Sequence, residues 1–230
     1  MVQGAPMTLT WLCPTWNRPA CVRRLIAQFL AQDFPRDQLS LLILDDSGQY
    51  TNQTGPGWQL ISFPRRFHSL PAKYNALLGL VVTDAVVIAE DDDLYSPQHS
   101  AACAAALRYG NVSKPSKVKV QCGPEHIESD PGRFHASLAI ETEFLRSLGG
   151  WPLTSRADFD LQLIARLRQA GTIADPCQLG FEPTYTFTWE TSGHYHAQAY
   201  GRGPEDAGYY DRAAAASGPV EFVGQVFNLP

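Results

Sequence analysis

The sequence predicts an α/β fold with a mostly parallel central sheet flanked by helices. Short unbroken apolar runs alternate with segments that have the apolar spacing of a helix, and carboxylates directly follow two of the runs. Apolar runs without polar alternation are typical of parallel strands covered on both faces. Ligands of such sheets bind beyond the carboxyl ends of the strands, so we expect residues from distant positions to converge there.

The first half of the chain shows this alternation clearly. Residues 8–13 predict a strand, and a loop with a proline at each end separates it from a helical pattern that runs to residue 30. The elements predicted next are a strand over 39–44, a strand over 58–63, a helix over 71–82 and a strand over 85–89. Asp45 and Asp46 follow the second strand, and the acidic run 90–93 follows the last one.

The second half predicts a more mixed set of elements. These are an alanine-rich helix to Tyr109, strands over 118–122 and 134–140, a helix over 158–170 closed by Gly171, and a strand over 185–189. Lys114, Lys117 and Lys119 alternate in a way that is typical of an edge strand protected against pairing with another sheet. The alternative is a contact with an anionic acceptor. Residues beyond 200 have no periodicity that predicts an element.

The composition favours one domain over residues 1–230, with flexible ends that include residues 1–7. The chain is 44% hydrophobic, which is ample for one core. The net charge of -5 argues against a protein whose main affinity is for a polyanion, and five cysteines without a CxxC pair favour reduced thiols. Without a leader or an apolar run of about 18 residues, we expect a cytoplasmic protein, in the host cytoplasm if viral, with no integral membrane contact.

The acidic run Glu90–Asp93 is the strongest chemical signal in the sequence. Carboxylates held together at the end of a buried strand raise one another's pKa and cost stability unless a cation neutralises them. Oxygen-only ligands suit Mg²⁺ or Mn²⁺, which also take ligands from the phosphates of a substrate. The run therefore favours a divalent cation site, and the alternatives are a solvated turn or a structural calcium loop.

Five segments together resemble the inverting, family-2-type glycosyltransferases, which have the Rossmann-like GT-A fold for nucleotide-diphospho-sugar transfer. CPTWNRP at 13–19 resembles the family's P-T-[YF]-N-R-P, and LLILDDSG at 41–48 resembles its strand ending in D-D-x-S. PAKYNAL at 71–77 resembles the A-x-x-[RY]-N-x-[GA] helix start, and VIAEDDDLYSP at 87–97 resembles the F-L-D-D-D-D-x-x-x-P run. GGW at 149–151, followed by DFDL at 158–161, resembles the G-G-[FW] and E-D-x-D-L elements.

The resemblance implies functions for individual residues. Asp93 would coordinate a divalent ion, Mn²⁺ or Mg²⁺, together with Asp91, and His194 or His196 is a further candidate ligand. The residues implied in nucleotide-sugar binding are Pro14, Thr15, Asn17, Arg18, Asp45, Asp46, Lys73, Asn75, Asp91, Asp92 and Trp151.

Inverting transfer also needs a base on the opposite face of the sugar to accept the proton of the attacking hydroxyl. Asp158 matches the family's base. Because Ala157 stands where the family has glutamate, Asp160 is the alternative base. Asp158 could also be a helix cap, since an aspartate at a helix start accepts hydrogen bonds from free backbone N–H groups.

The function expected from the resemblance is transfer of a hexose from a nucleoside-diphosphate sugar, UDP-linked, to an acceptor hydroxyl. The acceptor is a glycan, a small molecule or a hydroxymethylated base of viral DNA. A DNA acceptor would need a local basic groove, for which Arg65, Arg66 and residues 114–119 are candidates. The alternatives are a non-catalytic nucleotide- or sugar-binding module and a Mg²⁺-dependent nucleotidyltransferase.

Overall fold

A computed structural model describes residues 6–121, 123–130, 132–154 and 158–188. Within them the strands are β1 (Leu9–Thr15), β2 (Leu39–Asp45), β3 (Gln53–Gly55), β4 (Trp58–Ser62), β5 (Ala85–Ile88), β6 (Leu94–Tyr95), β7 (Val112–Ser113), β8 (Lys117–Gln121), β9 (Glu125–Ser129), β10 (Ala139–Glu141), β11 (Ile173–Ala174) and β12 (Tyr185–Thr188). The helices are α1 (Pro19–Leu30), α2 (Leu70–Leu80), α3 (His99–Ala106), α4 (Thr142–Ser147) and α5 (Phe159–Ala170).

An eight-stranded sheet forms the centre of the fold, in the order β11-β7-β10-β5-β1-β2-β4-β3. Strands β5, β1, β2 and β4 are mutually parallel, and β10 runs antiparallel to both β5 and β7. Strand β7 therefore runs in the same direction as β5, and β11 is parallel to β7. The carboxyl ends of these six parallel strands meet at one edge of the sheet, as the apolar runs of the sequence predicted.

Each helix contributes buried apolar side chains to the core. Helix α1 buries Val22, Leu25 and Phe29, at the spacing that places residues on one face. Helix α2 begins after Ser69, whose hydroxyl accepts a hydrogen bond from the Ala72 backbone N–H at 3.3 Å. No helix in the described residues is long and apolar enough to cross a bilayer.

A second sheet of four strands, in the order β6-β12-β8-β9, lies beside the acidic run. Strand β12 pairs in parallel with β8 and antiparallel with β6, which directly follows Asp93. Residues nearly a hundred positions after the acidic run are thereby brought against it. Trp189, the last residue of the predicted strand, lies outside the described residues.

Two local predictions are wrong. The predicted strand over 134–140 is a 3-10 turn, His135–Ser137, followed by β10. Strand β8, which carries Lys117 and Lys119, is not an edge strand, because it pairs with β12 on one side and β9 on the other. Lys114 lies before it and is buried, with its ammonium donating to Asp130 and Ser137.

Candidate active site

The first element of the site is the turn after β1, which folds around the carboxylate of Asp45. Thr15 ends β1 directly opposite Asp45 of β2. Asn17 has a φ of 51°, a left-handed conformation that asparagine tolerates, and its backbone N–H donates to Asp45 Oδ2 at 2.7 Å. Ser47 donates through its backbone N–H and its hydroxyl to Oδ1, at 2.8 and 2.5 Å. Asp45 thus joins the turns that follow the two central strands.

Asp46 is held by a buried ion pair. Its Oδ1 accepts from Lys73 Nζ at 2.5 Å and its Oδ2 from the Phe67 backbone N–H at 2.8 Å. Lys73 also donates to the Thr15 carbonyl, and its side chain is 1% exposed. Burial lowers the pKa of Lys73, although Asp46 opposes this shift. In this structure Lys73 therefore ties α2 to the site, and its role in nucleotide-sugar binding stays a prediction.

Arg18 neutralises the middle of the acidic run. Its Nη1 lies 2.6 Å from Asp91 Oδ1 and 3.0 Å from Asp92 Oδ2, with all three side chains buried. The Thr15 hydroxyl donates to the other oxygen of Asp91. Burial raises the pKa of Asp91 to about 6, although Arg18 opposes this shift. Arg18 is thus a partner of the acidic run in addition to being a predicted donor contact.

Asp93 is clamped by strand β12. Its Oδ2 accepts from the Tyr185 hydroxyl at 2.6 Å and its Oδ1 from the Thr188 backbone N–H at 2.9 Å. Burial, followed by the negative charges of Glu90 and Asp92, raises the pKa of Asp93 well above its usual range. The electrostatic cost expected from the sequence is therefore present at this carboxylate.

Within the part of the chain that the structure describes, the carboxylates that can share a cation are those of Glu90, Asp92 and Asp93. One oxygen from each lies within 4.8 Å of the others. Asp91, predicted as a ligand, is not in this group, because its two oxygens face Thr15 and Arg18. The ligand atoms are all oxygens and suit Mg²⁺ or Mn²⁺. The pKa of Asp93 is raised by burial and then by the charges of Glu90 and Asp92, and a divalent cation would offset this cost. His194 and His196 lie outside the described residues.

An aromatic cluster forms the wall next to these carboxylates. Asn75 Oδ1 accepts a hydrogen bond from the Trp151 backbone N–H at 2.7 Å, and Asn75 Nδ2 donates one to the Trp151 carbonyl at 2.8 Å. The indole of Trp151 is 1% exposed and stacks on Tyr74, with ring centroids 4.6 Å apart. In this structure the ring belongs to the core, and the role of Trp151 in nucleotide-sugar binding stays a prediction. Asn75 is correspondingly occupied in holding Trp151.

His135 links the aromatic cluster to the acidic run. The Trp151 indole N–H donates to His135 Nε2 at 2.8 Å, so the neutral imidazole carries its proton on Nδ1. That Nδ1 is buried, has no hydrogen-bond partner among the described residues, and lies 3.7 Å from Glu90 Oε1. Sequence reasoning missed His135, Tyr185 and Thr188, because no local pattern marks them and only the tertiary fold brings them to the site.

The two candidate bases lie at the start of α5. Asp158 Oδ1 accepts from Gln162 Nε2 at 3.0 Å, and its side chain makes no capping hydrogen bond to the helix. The Asp158 side chain therefore does not cap α5, contrary to the alternative interpretation. Burial raises the pKa of Asp160, which His135 lowers and Glu90 raises further, so Asp160 lies within electrostatic range of the acidic run. Ala157 lies outside the described residues.

Two of the basic residues considered for a DNA acceptor are held by contacts within the fold. The Arg66 guanidinium lies over the Trp16 ring, 4.6 Å from its centroid. Lys114 is buried against Asp130. These contacts use two of the candidate cations inside the fold.

The fold is similar to solved glycosyltransferases at low sequence identity. S. aureus TarS 1-349 matches with a TM-score of 0.65 and 15% sequence identity, over 79% of this chain and 60% of that chain. Its complex with UDP-GlcNAc matches with a TM-score of 0.65 and 17% sequence identity, over 84% of this chain and 62% of that chain. PcManGT, a mannosyltransferase from Pyrobaculum calidifontis in complex with GDP-Man and Mn²⁺, matches with 0.57 and 17% over 92% and 74%. The chain has the GT-A fold.

This likeness extends to part of the matched proteins only. The chain spans about three fifths of the length of TarS 1-349. No protein-family model and no curated protein sequence matches the chain. The similarity of the whole GT-A fold is thus detected in three dimensions, at identities of 15% and 17%.

Proposed function

We propose that this chain is a glycosyltransferase that moves a sugar from a UDP-linked donor to an acceptor hydroxyl, with inversion and with Mn²⁺ or Mg²⁺. The observation that supports it best is the convergence of Thr15, Asp45 and Asp46 with the carboxylates of Glu90, Asp92 and Asp93 at one sheet edge of a GT-A fold. TarS, with higher TM-scores than PcManGT, is the neighbour solved with UDP and UDP-GlcNAc, which favours uridine.

The cluster of three carboxylates is the proposed site of the divalent cation. Glu90, Asp92 and Asp93 would hold it, and a bound divalent cation supplies positive charge for the diphosphate that leaves. The clamps on Asp93 from Tyr185 and Thr188 keep that carboxylate in place before any ligand arrives. Asp45 and Asp46 each accept hydrogen bonds from two or more donors, which orient them, and they are the proposed contacts of the nucleoside.

The chemical step needs one carboxylate on the acceptor side. The bond between the sugar carbon and the diphosphate oxygen breaks, the acceptor oxygen bonds to that carbon, and the hydroxyl proton passes to a carboxylate. Asp158 is the proposed base and Asp160 is its alternative. The charges of Glu90 and His135 both act on Asp160, which supports a base at the start of α5.

The donor site is tested by thermal shift with UDP, GDP and their sugar conjugates in Mn²⁺, Mg²⁺ or EDTA. A ligand that binds only the folded state raises the apparent stability, by about 2.7 kcal/mol at a hundred times its Kd. We expect stabilisation by UDP with Mn²⁺ that EDTA removes and that Asp93→Asn lacks. Glu143→Gln is the matched control, because Glu143 is exposed and pairs only with Arg146 on its own helix among the described residues. No shift with any nucleotide would refute the proposal.

The base is tested by release of UDP from the donor that stabilises the protein. Asp158→Asn should lower kcat by about 10²–10⁴-fold while the thermal shift with UDP and Mn²⁺ stays that of the parent. If Asp160→Asn alone has this effect, the base is Asp160. Full activity in both variants contradicts an aspartate base, and release of pyrophosphate in place of UDP would identify a nucleotidyltransferase.

A further inference from the structure

A cavity of about 540 Å³ lies away from the acidic run, where β7 and β11 end. Its walls include Lys114 after β7, Asp175 after β11, Asp130 after β9 and Arg168 of α5. A volume of this size falls in the range of small-molecule binding sites. Because β7 and β11 run in the same direction as β1, β2 and β5, the cavity lies at the sheet edge that carries the candidate active site.

The polar wall of the cavity is pre-formed and carries no net charge. The Lys114 ammonium is buried against Asp130 and donates to Ser137 Oγ at 2.8 Å. Asp175 is fixed by the backbone N–H groups of Ser116 and Cys177, at 3.1 and 2.8 Å. With Arg168 there are two cations and two anions, so the wall attracts neither a polyanion nor a polycation. A neutral ligand with many hydrogen-bonding groups suits it.

The rim of the cavity is apolar and exposed. Tyr109 is 70% exposed, Leu179 41% and Ile173 38%, and all three line this cavity. They are three of the eight exposed large hydrophobic residues within the described part of the chain. A sugar ring combines hydroxyl groups with apolar C–H faces, and an exposed aromatic ring beside polar groups matches both. A purely apolar ligand would leave the charged wall without partners.

The turn His135–Ser137 lies between the cavity and the active site. Lys114 of the cavity wall donates to Ser137, and Ser137 belongs to the same 3-10 turn as His135. His135 reaches Glu90 of the acidic run, with Nδ1 3.7 Å from Oε1. One turn therefore forms part of the support of both sites.

We infer that this cavity binds a neutral oligosaccharide, as a remote subsite for sugar units of the acceptor that are not themselves glycosylated. That the saccharide is the acceptor rests on the proposed function, whereas saccharide binding at the cavity does not. The acceptor class is then a glycan of several units, which sets aside a small metabolite or a DNA base.

The test is binding of chitohexaose, cellohexaose and maltohexaose, measured by calorimetry and by thermal shift. The parent should bind at least one of them, and Tyr109→Ala should weaken that binding about tenfold, equivalent to about 1.4 kcal/mol. Tyr109 is largely exposed, so this variant keeps the fold. Val82→Ala is the matched control, because Val82 is 83% exposed and does not line the cavity.

The outcomes separate this inference from the proposed function. A parent that responds to UDP and Mn²⁺ but binds none of the three saccharides overturns the subsite alone. Equal binding by the parent and Tyr109→Ala also overturns it, because the saccharide then sits elsewhere. Saccharide binding that Tyr109→Ala weakens, in a parent that binds no nucleotide, supports the cavity and overturns the transferase.

Discussion

Replacement of His99 by phenylalanine should make the stability of the protein less sensitive to acid. His99 is fully buried at the start of α3, where its ring packs on Trp11 and Tyr95 and its Nδ1 lies 2.9 Å from Thr184 Oγ1. Burial lowers the pKa of His99 from 6.5 to about 3. The folded protein thus keeps the ring neutral, while the unfolded chain takes up a proton as the pH falls below 6.5.

The sign and size follow from this difference in pKa. A depressed pKa gives stability that is complete above pH 6.5 and is lost as the pH falls towards 3. Protonation of His99 stabilises the unfolded chain by about 0.1 pK units at pH 7 and by about 1.5 pK units at pH 5. One pK unit corresponds to about 1.36 kcal/mol. The loss between pH 7 and pH 5 is therefore about 1.9 kcal/mol. Phenylalanine removes this loss, and the missing bond to Thr184 adds a cost of about 1 kcal/mol at every pH.

Urea unfolding of the parent and His99→Phe at intervals from pH 7 to pH 5 measures the effect. Asp91, whose pKa is raised to about 6, changes stability in the opposite direction, but it is present in both proteins and cancels in their difference. His126→Ala is the control. Glu128 raises the pKa of the exposed His126, so its small contribution is present at low pH and lost as the pH rises. A difference between parent and His99→Phe that stays constant with pH would refute the reasoning.

Two further predictions concern the packing around the site. Lys73→Met should lower the free energy of unfolding by about 3–5 kcal/mol in urea titrations, because it leaves the buried carboxylate of Asp46 without its cation, and a loss below about 1 kcal/mol would contradict this. Gly150→Ala should be less stable than Gly149→Ala by at least about 1 kcal/mol, as measured by the same titration. Both glycines have a positive φ, but a Cβ at Gly150 would lie 2.3 Å from Asn75 Oδ1, whereas one at Gly149 has nothing within 4 Å; equal losses would show that Asn75 moves freely.

The fold class could be predicted because its signals are local. The apolar runs that became β2 and β5 require cover on both faces, and strands covered in this way run parallel. The predicted ends of elements differ from the observed ones by a few residues. Helix α2, for example, ends at Leu80 and not at residue 82. The 3-10 turn at His135–Ser137 was predicted as a strand, because a segment of seven residues is too short for its pattern to distinguish the two.

The candidate site could be predicted in position but not in pairing. Consecutive side chains of a turn point in different directions, so Asp91 meets Arg18 whereas Asp93 meets Tyr185, and neither partner is implied by the acidic run itself. Lys73 shows the same limit. A lysine beside a predicted phosphate site suggests a phosphate contact, but the fold places it against Asp46.

By itself, the sequence determined that strands would end on carboxylates at one edge of a parallel sheet, because strand length, apolar character and the residue after each strand are all local properties. Only the tertiary structure decided that Glu90, and not Asp91, groups with Asp92 and Asp93, that β12 clamps Asp93, and that Trp151 is buried. Those outcomes depend on which distant elements pack together, and this is set by the free energy of burying the whole core and not by any one segment.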